Sequence, residues 1–209
     1  MDAYVAAHTG NCDRPEMTDG RMVGDHLGRT GIMCRMAARG DGPAAVIVTG
    51  IYGAGKSSLT QEMANLLEAQ AISYAIVDLD FLCWFYVPGG RGDPAVGLAN
   101  TAAVVKTYRD AGVRHFLVAG AIRDEAELAR VRAALDMPAR VVRLVVDPDE
   151  IERRLAADVT TARRDDLTVA RDWHQDAIGT GIEDLEVAND GPIRDLALGV
   201  LRWLGWLKP

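Results

Sequence analysis

One short stretch constrains this chain more than any other. From residue 44 it reads Ala44-Ala45-Val46-Ile47-Val48-Thr49-Gly50-Ile51-Tyr52-Gly53-Ala54-Gly55-Lys56-Ser57-Ser58, and residues 50–57 satisfy G-x-x-x-x-G-K-[ST] in full. The apolar run before the glycines is short and β-rich. After them, Leu59, Met63, Leu66 and Leu67 recur at helical spacing. A strand that feeds a glycine-rich turn and then a helix can fold successive main-chain N–H groups around a phosphate. Glycine allows that turn because it carries no Cβ to clash. The helix adds the positive end of its dipole. Lys56 supplies a mobile ammonium for the β- and γ-phosphates, and the Ser57 hydroxyl is a hard oxygen ligand for Mg²⁺. The expected nucleotide-binding set is Gly50, Tyr52, Gly53, Ala54, Gly55, Lys56, Ser57 and Ser58, for a nucleoside triphosphate with Mg²⁺. Lys56 is also one of three lysines in a chain that otherwise uses arginine.

The rest of the chain from residue 43 repeats this alternation. β-rich runs stand at 44–48, 72–77, 113–118, 141–146 and 184–188. Between them lie helical faces: Leu98, Ala102, Val105 and Tyr108; Leu128, Val131 and Leu135; Ile151 and Leu155; then Ile193, Leu196, Ala197, Val200, Leu201 and Leu204. Short strands alternating with helices predict parallel βαβ units with the sheet covered on both faces, an α/β domain over residues 43–209. Trp203 and Trp206 are expected to pack the last helix. Residues 1–42 differ, holding five of the seven Met and seven of the 21 Gly without a sustained apolar period. They are expected to form a flexible extension. His8, Cys12, His26 and Cys34 within it match no usual zinc spacing.

At 209 residues the chain is long enough to bury a core without disulfides. Its three cysteines, at unrelated spacings, fit a reducing compartment. The net charge of −7 argues against a protein whose main task is gripping nucleic acid. No apolar run approaches the roughly 20 residues of a membrane helix, and the first residues lack a basic segment followed by an apolar core. The expectation is a cytoplasmic protein, monomeric or homodimeric, with neither a membrane nor a nucleic acid as partner.

The class of nucleotide-binding protein can be narrowed further. No N-K-x-D segment reads guanine, which argues against a GTP-selective switch. Leu144-Val145-Val146-Asp147 is the nearest match to a motor ATPase strand, but Arg143 interrupts it and Pro148 follows, so it reads as an ordinary strand end. More telling is Val77-Asp78-Leu79-Asp80, two carboxylates at the C-terminal edge of the second strand. In a doubly wound sheet, ligands bind at that edge. Asp78 is the candidate to hold Mg²⁺, and Asp80 the candidate to bind an attacking hydroxyl and take its proton.

With these motifs in order, residues 44 to about 204 resemble the small-molecule kinase branch of P-loop proteins: adenylylsulfate, gluconate and shikimate kinases and chloramphenicol phosphotransferase. The resemblance implies a P-loop NTPase fold with a five-stranded parallel sheet in the order 2-3-1-4-5. It also implies in-line transfer of the γ-phosphoryl group of ATP to a hydroxyl of a small-molecule acceptor. A lid is expected over about residues 153–172, where Arg153, Arg154, Arg163, Arg164 and Arg171 cluster. Of these, Arg163 and Arg164 are the catalytic candidates and Arg154 a nucleotide contact. The competing reading of this segment is a solvated helix surface, its arginines paired with nearby aspartates. Asn189, in Val187-Ala188-Asn189-Asp190-Gly191-Pro192, falls in the turn that flanks the adenine in similar kinases; helix capping is its alternative role.

On the acceptor side, Phe81-Leu82-Cys83-Trp84-Phe85-Tyr86 directly follows Asp80. Trp84 and Phe85 can wall a pocket for an apolar or ring-containing acceptor. Arg91 and Arg123 can anchor an anionic one, and Arg123 joins Asp80, Trp84 and Phe85 as the expected acceptor set. The pattern departs from adenylylsulfate kinases at Cys83, where those enzymes carry arginine. The alternative to a kinase is a nucleotide-binding ATPase or regulatory protein with no small-molecule acceptor. A polynucleotide kinase is disfavoured by the charge.

Overall fold

A computed structural model of the chain describes residues 42–88, 90–156, 169–174 and 176–208. The extension over residues 1–41, Arg163, Arg164 and most of the expected lid lie outside the described residues. Strand β1 (Ala44–Thr49) leads into α1 (Lys56–Glu68), then β2 (Tyr74–Asp78) and the short α2 (Leu79–Cys83). A two-residue-arm hairpin follows, β3 (Tyr86–Val87) with β4 (Gly90–Arg91), then α3 (Pro94–Asp110) and β5 (His115–Ala119). The chain continues through α4 (Glu125–Leu135), β6 (Ala139–Val145) and α5 (Pro148–Ala156). After α6 (169–174) come β7 (Leu185–Ala188) and α7 (Ile193–Trp203).

The large sheet is ordered β2-β5-β1-β6-β7, and every pair in it is parallel. Counting only its five strands along the chain, this is the order 2-3-1-4-5 that the resemblance implied. β1 lies at the centre, and Val46, Ile47 and Val48 are wholly buried, as a strand covered on both faces requires. Its side chains alternate between two cores. Val46 and Val48 pack with Leu59, Met63, Leu67, Val200 and Leu201 of α1 and α7. Ala45 and Ile47 pack with Phe116, Leu128, Val131 and Leu135 on the α4 side. Trp203 and Trp206 lie partly buried against the first core, Trp203 beneath the Arg140 guanidinium and Trp206 edge-on to His115.

One helical face differs from the sequence reading. In α3 the buried stripe is Gly97, Thr101 and Val105, whereas Ala102 and Tyr108 are exposed. The stripe runs through the smallest side chains because α2 presses on it: a Cβ at Gly97 would stand 2.6 Å from the Cys83 Cβ. Thr101 tolerates burial because its hydroxyl donates to the Gly97 carbonyl oxygen at 2.8 Å.

Candidate nucleotide-binding site

The loop between β1 and α1 sits at the C-terminal edge of the central strand, as the motif requires. Gly50, Gly53 and Gly55 all have positive φ, at 141°, 81° and 95°. Gly55 is also confined by its neighbours, since an added Cβ would lie 2.5 Å from the Asn189 amide nitrogen. Helix α1 begins at Lys56 directly after it, with no side-chain cap and no acidic residue in its first turn. Its first N–H groups and the positive end of its dipole therefore face the loop.

Three side chains hold the loop carbonyls. The buried Lys56 ammonium donates to the Gly50 and Ile51 carbonyl oxygens at 3.0 and 3.2 Å. It also lies 5.1 Å from the centre of the Tyr52 ring, within cation–π range. Asn189 donates its amide to the Ala54 carbonyl oxygen at 2.8 Å. Arg154 reaches the Gly53 and Asn189 carbonyl oxygens at 3.4 and 3.3 Å, while its Nε donates to Glu150 at 2.7 Å. In a trans peptide the C=O and N–H point in opposite directions. Drawing the Ala54 carbonyl toward Asn189 thus turns the Gly55 N–H away from Asn189.

Asn189 does not cap α7, whose N-cap is Pro192. Its side chain is buried and spent on the loop, and its main-chain N–H donates to Val145 at 2.8 Å. Replacing Asn189 with leucine is expected to strand the buried Ala54 carbonyl, lowering stability by about 1–3 kcal/mol. Thermal unfolding with and without nucleotide checks this, and an unchanged midpoint would contradict it. Thr49 was not singled out from the sequence, although it directly precedes the motif. It is buried, and its Oγ1 accepts from the Ile122 N–H at 3.0 Å, tying the exit of β5 to the base of the loop.

The carboxylate pair meets this loop from β2. Asp78 caps α2, its Oδ1 accepting from the Asp80 and Phe81 N–H groups at 3.0 and 3.3 Å. Its Oδ2 accepts from the Ser57 hydroxyl at 3.4 Å. Ser57 and Asp78 thus bring two hard oxygens together at one edge of the sheet, which suits Mg²⁺ completed by phosphate oxygens and water. Among the described residues, no group of three or more His, Cys, Asp or Glu forms a fuller metal cage. Asp80 stands exposed in the first turn of α2, and Ser58 is exposed on α1.

The other expected residues are scattered around this centre. Trp84 is exposed and Phe85 half-buried beyond α2. Arg123, after β5, is bound to Glu127 through its Nε at 3.2 Å, and that contact is the main cause raising its pKa. Burial is the first cause pushing the Cys83 thiol up, followed by the charge of Asp80. Arg153 pairs with Glu150, and Arg171 with Glu152 at 2.7 Å, so both serve the solvated surface. Of the described arginines around the lid, Arg154 alone reaches the loop. A cavity of about 230 Å³ opens beside the loop, and Asp78 is not among its lining residues. Thr49, Ile122, Leu144, Trp173 and Ile178 are among the residues lining it.

Comparison with solved structures decides what this architecture is. A sugar kinase from Janibacter sp. matches 78% of this chain and 95% of its own, at TM-score 0.57 and 16% identity. A gluconokinase from Sinorhizobium meliloti matches over 78% and 93%, at TM-score 0.51 and 18% identity. The chain has a P-loop small-molecule kinase fold. The APS kinase of Mycobacterium tuberculosis, solved with AMPPNP and APS, shares this kinase fold over 78% and 98%, at TM-score 0.50 and 19% identity. No protein-family model and no curated protein sequence matches the chain. Among the described residues of this P-loop kinase fold, no helix is long and apolar enough to cross a membrane.

Proposed function

We propose that the protein is an ATP-dependent phosphotransferase that moves the γ-phosphoryl group of ATP to a hydroxyl of a small molecule. The observation that carries this reading is the meeting of Ser57 and Asp78 beside a complete phosphate-binding loop, with Asp80 two residues further along. A loop alone binds phosphate. A second carboxylate beside it adds a group that can act on an acceptor. Kinase neighbours of the same fold support the reading, among them one solved with AMPPNP and APS.

In this mechanism the N–H groups of the loop and of the first turn of α1 cradle the phosphates. The Lys56 ammonium leaves the Gly50 and Ile51 carbonyls and follows the charge that spreads over the transferring oxygens. Ser57 and Asp78 would hold Mg²⁺, which would supply neutralisation of the phosphate charge. Asp80 accepts the acceptor's hydroxyl proton as its oxygen bonds to the γ-phosphorus. The bond from that phosphorus to the bridging oxygen breaks in line, and ADP leaves. Arg154 and Asn189 hold the loop's carbonyls outward and act as positioning residues.

The test is a screen of the full chain with ATP and Mg²⁺ against sugars, nucleosides, adenylylsulfate and phenicol- or aminoglycoside-type compounds, reading ADP release. Acceptor-dependent ADP release and a phosphorylated product are expected. ATP binding with no acceptor-dependent release would favour a nucleotide-binding regulatory protein instead.

A further inference from the structure

Five of the six large apolar side chains exposed among the described residues fall within residues 81–96: Phe81, Trp84, Tyr86, Val87 and Val96. Phe81, Trp84 and Tyr86 are 68%, 71% and 75% exposed, and all three follow Asp80 within six positions. Scattered exposed apolar residues need no explanation, but a cluster of them directly after a candidate catalytic carboxylate does. The backbone beneath these rings is firmly anchored. Asn100 on α3 donates to the Leu82 carbonyl oxygen at 2.8 Å, and the Gly92 N–H to that of Phe85 at 3.1 Å. Cys83 sits directly on Gly97. The Phe81 and Trp84 rings lie 6.0 Å apart and tilted by 42°, so they present a jointed wall rather than two independent side chains. The sequence thus spends its anchoring contacts on the main chain and leaves the rings outward.

Three carboxylates stand beside this wall. Asp78, Asp80 and Glu127 all act on the Cys83 thiol at its base. Arg123, one of the two cations considered for an anionic acceptor, is tied to Glu127. The position three residues after Asp80 carries Cys83 and not a cation. We infer that the Phe81–Trp84–Tyr86 face binds the acceptor, and that this acceptor is a neutral or cationic hydroxylated molecule bearing an aromatic or other large apolar ring. This rests on the phosphotransferase reading above. Ring faces stack on such a group, and their negative quadrupole, with the nearby carboxylates, favours positive charge over negative.

The experiment uses the full chain saturated with AMPPNP and Mg²⁺. Four probes are titrated by ligand-detected NMR: 2-phenylethanol, 2-amino-1-phenylethanol, mandelate and glycerol. The neutral and cationic ring alcohols are expected to bind at least about tenfold tighter than mandelate or glycerol. Phe81→Ala and Trp84→Ala each weaken that binding by about five- to tenfold and leave nucleotide affinity unchanged. Both side chains are exposed, so neither change removes core packing. Tyr108→Ala, an exposed ring at the far end of α3, leaves probe binding unchanged. Mandelate binding as tightly as the ring alcohols, or Trp84→Ala without effect on them, overturns the inference. So does a Trp84→Ala variant that loses self-association in sedimentation while probe binding holds, which would make the face a contact between copies. A chain that binds the ring alcohols but neither AMPPNP nor ATP would instead remove the phosphotransferase reading beneath it.

Discussion

Replacing Lys56 with alanine is expected to lower acceptor-dependent ADP release by about 10²–10³-fold in turnover, or roughly 3–4 kcal/mol of transition-state stabilisation. The reason is geometric. In the structure the ammonium is buried at the mouth of the loop, held by two carbonyl oxygens and an aromatic face. An approaching triphosphate offers it stronger, charged partners, and the negative charge on the transferring oxygens is what it then follows. Because this interaction strengthens as the reaction proceeds, the loss falls mainly on turnover and less on KM. Two carbonyls lose their partner in the same variant, so unfolding must be followed in parallel. Turnover within tenfold of wild type, with the fold intact, would remove Lys56 from its assigned role.

The two carboxylates separate under mutation. Asp80→Asn keeps shape and hydrogen-bonding capacity but loses the base, and is expected to lower turnover by about 10²–10⁴-fold. ATP affinity should stay near wild type, because the role proposed for Asp80 is at the acceptor hydroxyl and not on the nucleotide. Asp78→Asn acts elsewhere. It weakens the oxygen pair with Ser57, so the Mg²⁺ concentration needed for half-maximal rate should rise several-fold, while stability should stay near wild type because asparagine caps α2 about as well as aspartate. Steady-state kinetics across Mg²⁺ concentrations checks both. If Asp80→Asn retained turnover while Asp78→Asn abolished it at saturating Mg²⁺, the two roles would have to be exchanged.

The sequence revealed what is encoded locally. The loop, the five strands and the α1, α4 and α7 faces were legible because apolar period and glycine spacing dictate them over a dozen residues. The face of α3 was not, because its core stripe runs through Gly97 and Thr101, residues that register as core only once α2 is known to press on them. The site divides in the same way. Lys56, Ser57 and Asp78 stand where the motif and the strand end put them. The part Asn189 plays arises from a hydrogen bond spanning 135 positions, and that of Arg154 from one spanning 101. No local pattern announces such contacts. Arg123 has its structural partner close by, in Glu127 one helical turn on.

Catalysis of the proposed kind requires that main-chain amides and one ammonium between β1 and α1 grip a triphosphate. Isothermal calorimetry of the full chain with ATP, in the presence and absence of Mg²⁺, tests it directly. One site per chain is expected, tighter with Mg²⁺, and at least about tenfold weaker when Gly55→Val drives a side chain into the Asn189 amide. No heat at millimolar ATP, or binding indifferent to Gly55→Val in a folded variant, would contradict it.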